Sequence, residues 1–401
     1  MNRLMLPIFL VIASATLGSS HSETSPSILE ESEFGYRVAE HLKVFSKDTH
    51  PRNPEQRNIT QQYIIDKFRY IGLEVETQTF NTSIKMSYND DQYFIGTNII
   101  ATRKGSSPRK NVMVIGAHYD STGVNENHQP ERANGVGIAT LLEVAAAYEG
   151  SLRWNGFTAN YTTIFVAFDL NTKQQMPASP GMPGSYYFVQ DWLEPKIKRE
   201  FLTFDGSFIL DSIATYNTEV NSQNLPADFI RVLPEAYQTI TSYENKGNFL
   251  AAVSSGDKSA AVLKDFSGHY NHDKKARPFR LQMMVGNISE TGFGAYETLE
   301  MFDKQASFHF WAASRPSVLL TDTADKRLLP KGEQSPVDEM YVFWNPQRLA
   351  FVHKTYVALS YTVLDRQTTY TGLAKSHAPS LETTSSLMAM VVVAVIARIF
   401  N

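Results

Sequence analysis

The chain reads as an α/β protein: a single large domain with a mixed, mostly parallel central sheet flanked by helices. Strand-like and helix-period segments alternate along most of its length, the grammar of a sheet covered by helices on both faces. The run Val112 to Ala117 is apolar almost throughout, as in a strand buried on both sides. A chain of 401 residues, 42% hydrophobic and 19% charged, has enough apolar surface to bury such a sheet.

Taken in order, Ile64, Phe68 and Ile71 recur at helical spacing between Gln61 and Ile71, and Gly72 is expected to stop that helix. Leu73 to Phe80 alternates as a strand, and Phe94 to Thr102 and Val112 to Ala117 follow as two more. Between Gly137 and Glu149 the residues Ile138, Leu141, Leu142 and Ala145 share one face, with Gly150 as the expected stop. Tyr161 to Phe168 is β-branched and aromatic, hence a strand; Ser185 to Phe201 is helix-like, and Ser207 to Asp211 is a short strand. From Asn217 to Thr298 the pattern is less regular. Strand Ser317 to Leu320 precedes a last helix that starts at Pro346 after Asn345, with Leu349, Val352, Tyr356, Leu359 and Val363 on one side.

A net charge of −4 without a long basic run argues against nucleic acid as a partner. The absence of cysteine removes any disulfide framework, thiol nucleophile or thiolate ligand. Arg3, an apolar run from Leu4 to Ala13, and the small residues Ala15, Gly18 and Ser19 have the layout of a secretory signal peptide over residues 1–20. Four glycosylation acceptor patterns begin at Asn58, Asn81, Asn160 and Asn287 and fit the same route. After a domain spanning residues 30–368, residues 369–401 form a small, polar spacer and an apolar tail from Leu387 to Phe400. A helix over that tail would reach only about 21 Å of a roughly 30 Å hydrocarbon core. The layout matches a glycosylphosphatidylinositol attachment signal with Ser376 or Ser380 as the attachment residue, the other reading being a marginal transmembrane tail.

The strand ending Ile115-Gly116-Ala117-His118-Tyr119-Asp120 presents an imidazole and a carboxylate two positions apart, half of a metal site. Further along come Gly135 to Glu143 with a Gly-x-Gly helix start, Phe165-Val166-Ala167-Phe168-Asp169, Gly184-Ser185, Ile209-Leu210-Asp211 and Leu320-Thr321-Asp322-Thr323-Ala324. In this order and spacing the chain resembles the family-28 metallopeptidases, di-zinc aminopeptidases whose fold also serves glutaminyl cyclases, over roughly Glu40 to Asp365. The resemblance implies a zinc-aminopeptidase, phosphorylase/hydrolase-like architecture. It also implies five metal-binding side chains and a Glu as general base, because paired cations activate a shared water and clamp the carbonyl oxygen while a carboxylate takes the proton.

On that pattern His118 and Asp211 stand at the ligand positions of the first metal, and Asp120 at the position that orients the His. The bridging Asp is replaced by Ala133, the general base by Asn171, the adjoining Glu ligand by Thr172 and the distal His by Ser307, with His309 two positions away. No Glu occurs between Gly150 and Leu193, so realignment cannot restore the base. Loss of a general base removes about 10²- to 10⁴-fold in rate. No cofactor is expected, or at most one weak zinc on His118, Asp211 and Glu131; the alternative is a direct His118–Asp211 hydrogen bond. The chain is therefore expected to be a pseudopeptidase at the extracellular face of the plasma membrane, binding a peptide or protein ligand. The competing expectation is an active zinc aminopeptidase using Glu131, Asp169 or His309. His269 and His272 are expected in a solvated loop, Tyr186, Tyr187 and Phe188 in the core, and Asp322 as a holder of loops.

Overall fold

The computed structural model describes residues 27–47, 49, 51–87, 90–121, 134–171, 181–225, 229–272, 282–288, 306–331 and 345–372. The expected signal peptide, Glu131, Ala133, Thr172, Ser376 and the apolar tail lie outside them. The strands are β1 (Glu74–Ser87), β2 (Asp90–Arg103), β3 (Asn111–His118), β4 (Phe157–Ala159), β5 (Thr162–Phe168), β6 (Thr203–Leu210), β7 (Phe249–Ser255), β8 (Gln282–Ile288), β9 (Ser317–Thr321) and β10 (Thr368–Tyr370). Eight of them make one sheet in the order β1-β2-β5-β3-β6-β9-β7-β8, and β4 pairs with β10 beside it. The joints β5–β3, β3–β6, β6–β9 and β7–β8 are parallel, whereas β1–β2, β2–β5 and β7–β9 are antiparallel. The sheet is thus mixed and mostly parallel, as the alternating pattern predicts.

Successive residues of the central strands enter two different cores, because side chains alternate across a sheet. Met113, Ile115, Phe165, Phe208 and Leu320 pack under helices α1 (Glu31–Phe45), α2 (Pro54–Tyr70) and α3 (Gly135–Trp154). Val112, Val114, Val166, Ile209 and Leu319 pack with Phe188, Leu193 and Phe310 on the other side. Each such side chain contributes on the order of 1.5–3 kcal/mol when fully buried. Two-sided burial is why β3 carries no polar residue from Val112 to Ala117.

Several helices depart from the sequence reading. α1 has no counterpart in it, and α2 begins at Pro54 rather than near Gln61, with the Asn53 side chain accepting from Gln56 N at 3.3 Å. Gly72 ends it at φ +95, as expected. α3 does not stop at Gly150 but continues to Trp154. A Cβ on Gly150 would lie 2.7 Å from Ser27 Cβ, so this glycine makes room for the crossing N-terminal segment. The helix read over Ser185 to Phe201 comprises α4 (Gly184–Tyr187), a π-helical turn over Phe188–Leu193 and α5 (Glu194–Glu200). The wide turn falls where Pro195 has no N–H to offer the preceding turn.

The stretch that looks irregular in sequence folds into α6 (Phe229–Val232), α7 (Pro234–Ser242), β7, α8 (Gly256–Asn271) and β8. Its strand is rich in Ala and Ser, which weakens the hydrophobic signal although every position of β7 is buried. His269 is consequently helical rather than in a loop, with Nε2 2.9 Å from an Asp365 carboxylate oxygen, and His272 caps the same helix. α9 (Ala306–Ala312) follows. α10 (Pro346–Gln367) starts as expected, with Asn345 Oδ1 accepting from Gln347 N at 2.9 Å.

A buried ion pair pins α2 to the sheet. The Arg57 guanidinium donates to Asp169 at the end of β5, and Asp169 also accepts from Thr97 N (2.9 Å) and Leu170 N (2.9 Å). Asp169 has no solvent exposure and Arg57 very little. Removing one partner strands a buried charge, so Arg57→Ala is expected to cost about 3–5 kcal/mol. A lowered urea midpoint with an unchanged denaturant slope would register it.

Candidate functional site

The parallel register delivers one cluster of polar residues to a single edge. His118 pairs with Phe168, Ala117 with Leu210, and Leu210 with Leu320. The residues that follow each strand therefore sit side by side at the C-terminal ends: His118 to Ser121, Asp169 to Asn171, Asp211 with Ser212, and Asp322. That edge is where open α/β sheets place ligand sites.

His118 is the hub. Its Nδ1 lies 3.3 Å from Asp120 Oδ1 and 3.2 Å from the Asp120 carbonyl oxygen, and its Nε2 lies 3.4 Å from Asp211 Oδ1. Burial disfavours the imidazolium, but the Asp120 and Asp211 carboxylates outweigh it and raise the His118 pKa to about 10. The two acids approach opposite ring nitrogens, so only Nε2 and Asp211 face a common point. Among the described residues no group of three or more His, Asp or Glu side chains is arranged to hold a metal ion.

The neighbouring polar groups are occupied with structure. Asn171, at the position expected for the base, donates its N–H to Asp120 Oδ1 (3.0 Å), and its Oδ1 accepts from Ser185 N (3.1 Å) at the start of α4. Asp169 is turned away and paired with Arg57; burial, offset in part by that guanidinium, raises its pKa. Leu170, between them, adopts φ +48, a left-handed turn that separates the two directions.

Asn134 precedes α3 and ties two loops together, donating Nδ2–H to the Leu210 carbonyl (2.8 Å) and accepting from Ser212 N (3.0 Å). A Cβ on Gly137 would lie 2.0 Å from Asn134 Oδ1, which explains the second glycine of the Gly-x-Gly helix start. Asp322 holds loops, as expected, accepting from Thr215 N (2.6 Å) and Ala324 N (2.8 Å).

Across the site, α9 brings Ser307 and His309 near α4. The His309 ring stands edge-on to Tyr186, with centroids 5.7 Å apart. Ser185 Oγ, Ser307 Oγ and His309 Nε2 are buried and have no hydrogen-bond partner among the described residues. Burial alone pushes the His309 pKa down to about 4, leaving a neutral imidazole. Tyr186 and Tyr187 are half-buried rather than fully in the core, whereas Phe188 is core.

Of the acceptor asparagines, Asn58 and Asn81 are exposed on α2 and β1. Asn160 is half-buried with its amide donating to Thr369, and Asn287 lies in β8. What sequence reading missed is the use of Arg57 and Asn134. An Arg one turn into a helix and an Asn before one carry no signal until the tertiary partner is in place.

Residues 98–270 match the model of Peptidase family M28. No curated protein matches the chain. Among solved structures it is similar to the glutaminyl cyclase of Bacteroides thetaiotaomicron bound to N-acetylhistamine, at 13% identity and TM-score 0.53, covering 84% of this chain and 99% of that one. The Macrostomum lignano glutaminyl cyclase gives 14% identity and 0.53 over 89% and 97% of the two chains. A leucine aminopeptidase precursor from B. thetaiotaomicron VPI-5482 gives 12% and 0.51 over 84% and 97%. At such identities the likeness is one of fold. Residues 98–270 are thus similar to Peptidase family M28, and the chain that contains them has the fold seen in the family-28 metallopeptidases.

Proposed function

We propose that this chain is a secreted, glycosylphosphatidylinositol-anchored ectodomain that uses the metallopeptidase fold to bind a peptide or protein ligand without cleaving it. The observation that carries this reading is the fate of the base position. Asn171 holds Asp120 and the start of α4 through its backbone and side chain, and its amide has no useful basicity.

The donor set does not fit a zinc pair. Ala133, Thr172 and Ser307 stand where the resemblance calls for two carboxylates and an imidazole, and neither a methyl group nor a neutral hydroxyl holds a divalent cation strongly. His118 Nε2 with Asp211 suits at most one weakly bound zinc. Asp169 is held by Arg57 and is no substitute ligand. No step is routed through metal on this reading; Asn171 and Ser307 offer neutral hydrogen-bonding groups in place of reactive ones.

The membrane part rests on sequence. The apolar tail from Leu387 to Phe400 follows a polar spacer, and among the described residues no helix is long and apolar enough to cross a membrane.

Three measurements test the proposal. Purified protein is expected to carry fewer than about one zinc per chain and to leave aminoacyl reporter substrates intact; chelator-sensitive hydrolysis abolished by His118→Ala would overturn it in favour of an active aminopeptidase. Treatment of expressing cells with a phosphatidylinositol-specific phospholipase is expected to release the protein, and retention would refute the lipid anchor. His309 titrates low in the fold, so its contribution to stability is complete above its ordinary pKa near 6.5 and is lost as pH falls through about 4. Stability should drop by up to about 1.4 kcal/mol per pH unit in that window, and His309→Leu should flatten the drop.

A further inference from the structure

The edge opposite the site carries features that neither the cleft nor the core uses. The strands β3, β5 and β6 begin there at Asn111, Thr162 and Thr203. α3 starts beside the site at Gly135 and ends at this edge at Trp154, a span of about 30 Å. α10 also ends here, and β10 pairs with β4, bringing the Tyr370 and Phe157 rings to 5.3 Å. Thr371 donates both its N–H (2.9 Å) and its hydroxyl (3.0 Å) to the Gly156 carbonyl, so the last described turn of the chain is tied beside Trp154.

Three aromatic side chains project from this edge: Trp154 is 53% exposed, Tyr370 51% and Phe201 85%. Phe201 also occupies a left-handed position at the end of α5, φ +54, where helices commonly place glycine. A large apolar ring held outward in a strained backbone gains nothing from water. Around Phe201 the cations Arg109, Lys110, Lys198 and Arg199 are exposed, with Glu200 engaged by Lys196 and Arg199. Aromatic rings interleaved with Lys and Arg stems suit the headgroup layer of a bilayer, where rings sit at the boundary and cations meet lipid phosphates.

We propose that this edge is a membrane-contacting face, with Trp154, Tyr370 and Phe201 seated in the lipid interface. The inference rests on the anchorage proposed above. The last described residue, Gly372, lies at this edge four positions before Ser376, so a lipid attached there brings this edge against the bilayer. The candidate cleft then faces away from the membrane, open to ligands from outside. Exposed Asn58 is on the first turn of α2, near the cleft and clear of the bilayer, whereas Asn160, at the membrane edge, has its amide engaged.

The test uses the full chain reconstituted into phosphatidylcholine vesicles in which part of the lipid is brominated high on the acyl chain, a short-range quencher of tryptophan. Wild-type protein is expected to float with the vesicles and lose fluorescence to the brominated lipid, and Trp154→Phe is expected to reduce the quenched fraction by about twofold or more. Flotation with equal quenching in both proteins overturns the face while leaving the anchor intact. Failure to float overturns both. A concentration-dependent dimer in detergent that shields Trp154 from acrylamide would assign the face to a second copy and overturn the lipid contact.

Discussion

The register of the parallel strands is the constraint from which the rest follows. With His118 opposite Phe168, and Ala117 opposite Leu210, the strand ends finish level, and the polar residues after each are forced into one row. A shift of one residue in a central joint would send each side chain into the wrong one of the two cores, because side-chain direction alternates along a strand. The two-sided core therefore holds the site in place more firmly than any contact within the site. The Arg57–Asp169 pair and the Asn134 bridge tie α2 and α3 to the same row.

A site for paired cations, which the resemblance to the metallopeptidases implies, needs concentrated negative charge, and on the proposed reading this chain has exchanged most of it for neutral groups. The carboxylates that remain are partnered within the protein: Asp120 and Asp211 with His118, Asp169 with Arg57, Asp322 with backbone N–H groups. In place of the others stand an amide and hydroxyls. Ser185, Ser307 and His309 keep polar atoms buried without partners among the described residues, a condition that costs stability unless something meets them. On the proposed function, a polar ligand reaching α4 and α9 would satisfy them.

The helices span the sheet from edge to edge, so the fold has polarity. One edge gathers the ends of the parallel strands with their acids, imidazole and amides. The other gathers the helix ends, the exposed aromatics and the point at which the chain leaves. The proposed function at one edge and the proposed attachment at the other are compatible because α3 and α10 hold the two edges apart.

The sequence alone was sufficient for the fold class, the two-sided burial of β3 and the start of the last helix at Asn345-Pro346. These depend on period and on local capping chemistry. It was not sufficient for α1, for the strand hidden in the Ala- and Ser-rich run of β7, or for the passage of α3 through Gly150, since each is decided by what packs against it. Nor could it tell that Asp169 belongs to Arg57 or that Asn171 serves Ser185, and it left open whether Asp211 meets His118 directly. Those pairings join residues 14 to 112 positions apart, and only the closed sheet brings them within reach of a hydrogen bond.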